Sequence, residues 1–152
     1  VEDVKSETSG AYKQALVGAL LTRSEWDAKC LRGFMKGLGT NERGMIETLT
    51  HRDRQELEGI KEAYMRMYGK TLQKDIEGDT SGLTKRFFLA LINSPRFEGE
   101  VNMMEISQDI SALHQAGNKF FTDSSTFVDI ITKHGNNYLK VLNIAYGRAC
   151  GD

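Results

Sequence analysis

The chain reads as an all-α protein of five-helix repeats, one complete and one assembled from the N- and C-terminal half repeats. Three observations predict this. Apolar residues recur at three- and four-residue steps almost throughout, which marks one face of a helix and not of a strand. KSETSG (Lys5 to Gly10) returns as EGDTSG (Glu77 to Gly82) at an offset of 72 residues, and AYKQALVGALL matches LTKRFFLALIN at the same offset. A second match, at an offset of 82, carries Asp27, Leu31, Thr40, Ile46, Leu57, Ala63 and Tyr64 onto Asp109, Leu113, Thr122, Val128, Leu139, Ala145 and Tyr146. The two offsets differ by 82 minus 72, a ten-residue insertion, and SPRFEGEVNMMEIS with the only proline, Pro95, is its place. The organisation is therefore residues 1–22 as the second half of a repeat, 24–93 as a complete repeat, 94–104 as a linker, and 105–152 as the first part of a further repeat.

The elements follow in order. After KSETSG an apolar helix runs through Leu16, Val17 and Leu20. Ser24 with Asp27 opens the next, which carries Ala28, Leu31, Met35 and Cys30 inward, and Gly37 stops it before a loop. A short helix covers Glu42 to about Thr50. In DRQELEGIKEAYMRMYG the apolar set Leu57, Ile60, Ala63, Tyr64 and Met67 forms one face. Asp53 caps this helix with Glu56 three residues on, the spacing of a capping box, and Gly69 ends it. Helices from Leu72 to about Glu77 and from Gly82 or Leu83 to Ile92 complete the repeat, and the tail repeats its first three helices.

Composition narrows the function classes. At 152 residues the chain can form one domain, burying roughly 70% of its unfolded surface. A formal net charge of -1 argues against nucleic acid as a partner, since a nucleic-acid protein shows a basic excess or face. No run of about 18 apolar residues and no signal-type leader is present, so a cytoplasmic setting is expected. Cys30 and Cys150 lack metal or redox spacing and read as free thiols.

The chemistry concentrates in the loop MKGLGT, starting at Met35, and in Asp79 of IEGDTSG. Glycine at Gly37 and Gly39 lets the backbone visit positive φ and approach an ion closely. Carbonyls and a carboxylate with no nearby His or Cys make an all-oxygen site, which suits calcium better than zinc or copper. Taken alone, a GLGT turn is commonly just a turn, and an Asp after a short helix is commonly a cap or a solvated charge. An EF-hand does not fit: DIEGDTSGLTKR has Gly78 in the wrong place and Arg86 where a bidentate Glu is required.

The MKGLGTNE loop, the stretch ELEGIKEAYMRMYGKTLQKDIEGDTSG and the head copy VKSETSG before an apolar helix together resemble the annexins, over essentially the whole chain. The resemblance implies the end of one annexin-like repeat, one whole repeat and the start of another. Annexins usually have four repeats, so a shortened form or fragment is implied. It further implies carbonyl ligands from Met35, Gly37 and Gly39 with the Asp79 carboxylate at a main calcium site, and Thr40 and Glu42 at a weaker accessory site. The main set supplies about five oxygens against the six to eight that calcium takes, leaving room for water or a lipid phosphoryl oxygen. The expected function is calcium-dependent binding to acidic phospholipid membranes. The alternative is a calcium-independent scaffold or cytoskeletal interaction module.

The second copy is a control. Met35, Gly37 and Gly39 correspond to Gly117, Lys119 and Phe121, and Glu42 to Ser124, so a second calcium site is not expected; Phe120 and Phe121 are expected in the core. Glu7 matches Asp79, but its carbonyl loop is absent. His51, His114 and His134 lack ligand spacing and read as surface or capping residues, while Trp26 is expected to pack over a neighbouring helix. No nucleophile is paired with a base, so no enzyme is expected. Head and tail half repeats would each expose an apolar face, Leu16, Val17 and Leu20 against Val128, Ile131, Leu142 and Tyr146. The two faces are expected to pair, either within one chain or, as the favoured alternative, across a homodimer that exchanges half repeats.

Overall fold

The structure is a computed structural model, and it describes residues 7, 9–37, 39–94, 96, 99–118 and 124–150. Among these residues the regular elements are α-helices: α1 Gly10–Leu20, α2 Arg23–Phe34, α3 Glu42–Thr50, α4 Arg54–Tyr68, α5 Leu72–Asp79, α6 Gly82–Asn93, α7 Met103–Gly117, α8 Ser124–Lys133 and α9 Asn136–Cys150. The all-α expectation holds. By packing, the chain divides into two compact units, Val1–Asp79 and Thr80–Asp152.

In the first unit α2 lies along α4, with α3 against α2 and α5 against α4. The predicted inward face of α4 is buried at Leu57, Ile60, Ala63 and Tyr64 and half-buried at Met67, and the buried core of this unit also includes Ala28 and Leu31 of α2, Met45 and Leu49 of α3, and Leu72 and Ile76 of α5. Each large aliphatic so removed from water contributes roughly 1.5 to 3 kcal/mol. The α4 capping box forms as read: Glu56 N–H donates to Asp53 Oδ1 at 2.8 Å and Asp53 N–H to Glu56 Oε2 at 3.0 Å. Gly69 ends the helix in the left-handed conformation at φ +66°. Trp26 packs on α1, where a Cβ at Gly18 would lie 2.9 Å from its ring.

The start of α2 differs from the expectation. Its cap is Thr22, not Ser24, with Glu25 closing the box: Glu25 N–H donates to Thr22 Oγ1 at 3.3 Å and Thr22 N–H to Glu25 Oε2 at 2.9 Å. Two packing demands explain the shift. Ser24 sits against α4 at Gly59, where an added Cβ would meet its hydroxyl at 2.9 Å. Asp27 is buried inside the helix and held by Arg52, Nε to Oδ2 at 2.6 Å and Nη2 to Oδ1 at 2.9 Å. The helix ends at Phe34, and Met35 is the buried cap residue.

In the second unit α7 packs against α9 and α8, and α6 against α8. Ile106, Leu113, Ile130, Tyr138 and Leu142 form the core cluster, with Phe127, Leu139 and Tyr146 packed on it. Arg86 of α6 pairs with Asp129 of α8 at 2.8 Å, and the Ser94 hydroxyl donates to the Thr132 carbonyl. The sequence duplication counts α6 with the helices before it, whereas the packing unit counts it with those after. Of the end residues expected to be apolar and open, Val17, Val128 and Leu142 are buried, Leu16 and Tyr146 are half-buried, and Leu20 and Ile131 are exposed.

His134 is a correction: it was expected at the surface or as a cap, and only 5% of it is exposed. Its ring stacks on Tyr138 with centroids 3.7 Å apart and planes 9° from parallel, which takes it out of solvent. His51 is the exposed cap residue of α3, and His114 is exposed in the last turn of α7, as expected.

Candidate metal centre

The centre is built where α2 stops and α3 starts. Asn41 N–H donates to the Phe34 carbonyl at 2.9 Å and so closes the loop between the two helices. Asn41 also caps α3, its Oδ1 accepting from Gly44 N–H at 3.0 Å. Inside the loop Gly37 has φ +119° and Gly39 φ +84°. A Cβ at either glycine would meet nothing within 4 Å, so backbone conformation and not space calls for glycine here. Both glycines and Lys36 are exposed.

Asp79, the last residue of α5, reaches this loop. The Thr40 hydroxyl lies 2.6 Å from Asp79 Oδ2 and 3.0 Å from the Asp79 carbonyl oxygen. With one hydrogen to give, Thr40 donates to the shorter, charged acceptor. Thr40 and Asp79 are half-buried, and Glu42 is exposed in the first turn of α3. The Thr40 carbonyl accepts Glu42 N–H at 3.0 Å. The structure thus joins Thr40 to Asp79 across 39 residues of sequence. The sequence places Thr40 only at the accessory site and misses this hydroxyl contact; its signal is a hydroxyl beside the loop glycines.

The other two acids of α5 are engaged elsewhere: exposed Glu77 accepts from Gln73 Nε2 at 2.8 Å. Asp75 pairs with Arg32 and accepts from the Tyr64 hydroxyl at 2.7 Å. Burial, reinforced by that hydrogen bond, pushes the Tyr64 hydroxyl far above the ordinary tyrosine range. Asp79 is therefore the α5 carboxylate facing the loop, and its Oδ1 keeps lone pairs for a cation. No group of three or more His, Cys, Asp or Glu that could hold a metal occurs among the described residues. A cation here would have to take mostly carbonyl oxygens, which fits a hard ion such as calcium and not a thiolate- or imidazole-seeking metal.

In the copied loop, Gly117 is the last residue of α7 and Ser124 the first of α8. Lys119, Phe120 and Phe121 lie outside the described residues. Cys30 and Cys150 are free thiols. Among the described residues no helix is long and apolar enough to cross a membrane.

Comparison with known proteins agrees with this architecture. The annexin family model matches residues 26–91, which contain the loop and Asp79. Annexin A5 of Cynops pyrrhogaster is 38% identical over 141 residues, 91% of this chain and 44% of that protein. Annexin A13 of Homo sapiens is 37% identical over 147 residues, 95% of this chain and 46% of that protein. The chain thus spans somewhat under half the length of these relatives. In structure it is similar to annexin III, with a TM-score of 0.94 at 32% identity over 99% of this chain and 48% of that one. With the family model, the relatives and the fold all in agreement, the chain belongs to the annexin family.

Proposed function

We propose that this chain is a non-enzymatic, peripheral module that binds acidic phospholipid surfaces in a calcium-dependent way, from the cytoplasm. The observation that carries the reading is the Thr40–Asp79 contact, which sets the α5 carboxylate beside a loop whose two glycines hold left-handed backbone. Annexins are known in general for calcium-dependent phospholipid binding, and two unpaired cysteines suit a reducing compartment.

In this reading the carbonyls of Met35, Gly37 and Gly39 and the Asp79 carboxylate hold the main ion, and Thr40 and Glu42 serve an accessory one. Calcium, when bound, supplies a hard dication that still accepts an outside oxygen. Met35 anchors the loop in the core, the glycines bring backbone oxygen to the surface, and Thr40 keeps the Asp79 carboxylate turned to it. A single carboxylate leaves the main site under-charged, so its affinity without lipid should be weak, on the order of 10⁻⁴ to 10⁻³ M.

Sedimentation with phosphatidylserine vesicles tests the proposal. The chain should pellet with vesicles when calcium is present and stay in the supernatant when a chelator is added. Equal pelleting in both conditions would favour the calcium-independent interaction module instead.

A further inference from the structure

The duplication at offset 82 places Asp109 on Asp27 and His134 on Arg52. In the first unit Asp27 and Arg52 form a two-bonded pair in which the cation is permanent. In the second unit the same position holds an imidazole. We infer that His134 makes the second unit a proton-sensitive joint, so that mild acid loosens α7 to α9 while the first unit, built on the same plan, stays closed.

The geometry around His134 supports this. Its Nε2 lies 3.2 Å from Asp109 Oδ2 and 3.8 Å from Glu105 Oε1. Yet this nitrogen is fully buried and makes no hydrogen bond among the described residues. The ring is held by its stacking on Tyr138, with centroids 3.7 Å apart, beside the two carboxylates. Asp109 is already engaged, accepting from the Tyr138 hydroxyl at 2.8 Å, and Glu105 holds Lys133 at 2.7 Å. Both carboxylates are thus partly spent before His134 could use them.

The groups that face the ring come from every packed element. From α7 these are Glu105 and Asp109, from the end of α8 Lys133, and from α9 Tyr138; Arg86 of α6 is held by Asp129. Burial opposes a charge on the ring, and the neighbouring Lys133 cation adds to that opposition; Asp109 and Glu105 pull the other way. Burial prevails, and the folded imidazole is held below its ordinary value of 6.5. The unfolded chain therefore takes up the proton first. Stability is complete above the unfolded value and falls as pH drops through it, then levels off once the folded ring also protonates. Arg52 has no such step, because guanidinium stays charged throughout.

Hydrogen exchange on the whole chain tests the inference, at pH about 7.5 and about 5.5, either side of the ordinary histidine value. After correction for intrinsic rates, amides of α7 and α9 should lose protection several-fold on acidification, while those of α2 and α4 keep theirs. His134→Gln, similar in size but without a proton to gain, should remove the difference. Equal loss in both units, no loss in α7 and α9, or an unchanged pH response in His134→Gln would overturn it. Should the variant fail to fold, the imidazole titration of the wild-type chain by NMR decides: a midpoint below 6.5 supports the joint, and one at or above 6.5 overturns it.

Discussion

Asp79 and Gly39 contribute to the same loop by different physics, and substitution separates them. Asp79→Ala removes the carboxylate of the proposed site and the acceptor of the Thr40 hydroxyl, at the very end of α5. Calcium-dependent vesicle binding should fall at least about tenfold, or about 1.4 kcal/mol, with the helical CD signal unchanged; undiminished binding would remove Asp79 from the site. Gly39→Val acts through the backbone. At φ +84° an L-residue is strained whatever the space around it, by roughly 1 to 2 kcal/mol and more for a β-branched side chain. The loop is expected to abandon its conformation sooner than bear that strain in the free state. Calcium affinity should therefore drop about as far as in Asp79→Ala, while melting temperature moves little. A variant that retains wild-type affinity would show that left-handed backbone is dispensable at this position.

At the scale of elements the centre depends on how closely α2 and α3 approach at its base. Gly44, in the first turn of α3, faces Phe34, the last residue of α2, and a Cβ there would fall 2.7 Å from the ring. Gly44→Ala must displace that ring, and with it the cap residue Met35 that opens the loop. Two effects on stability then oppose each other. Alanine gains about 1 kcal/mol over glycine in a helix, and overpacking of this kind costs roughly 1 to 3 kcal/mol. Net stability should therefore fall by no more than about 2 kcal/mol. Calcium affinity should nevertheless fall several-fold in titration calorimetry, although no proposed ligand is altered. Equal affinity would mean that the ring swings aside without moving the loop.

At the scale of the whole molecule the two units are unequal copies. The first carries both loop glycines, whereas Gly37 and Gly39 are replaced by Lys119 and Phe121 in the second. Calorimetric titration should find one principal calcium site per chain, with weaker accessory binding beside Thr40 and Glu42. Two equivalent strong sites would refute the reading of the second loop. The exposed aliphatics Leu20 and Ile131 are among the end residues expected to pair between chains, so light scattering at micromolar concentration is expected to give a dimer mass. A monomer mass would end the exchange proposal.

What was legible in the residues themselves was local. The Asp53–Glu56 box, the Gly69 stop, the inward face of α4 and the positive-φ glycines of the loop all depend on residues within a turn or so of one another. Their spacing encodes the interaction directly. The family resemblance was legible too, because the duplication repeats whole stretches of the pattern. Packing across sequence distance was not. Thr22 and Ser24 offer similar caps to α2, and the choice falls to Thr22 because Ser24 is needed against Gly59 and Asp27 against Arg52. The hydroxyl of Thr40 finds Asp79 only because α5 folds back beside the loop. His134 looked like any surface histidine, and its burial follows from stacking on Tyr138 beside Asp109. The offset aligns it with Arg52, which the structure shows half-buried and paired with Asp27. A side chain's type limits which bonds it can make, but which partner stands opposite is settled by how the helices close over their apolar faces.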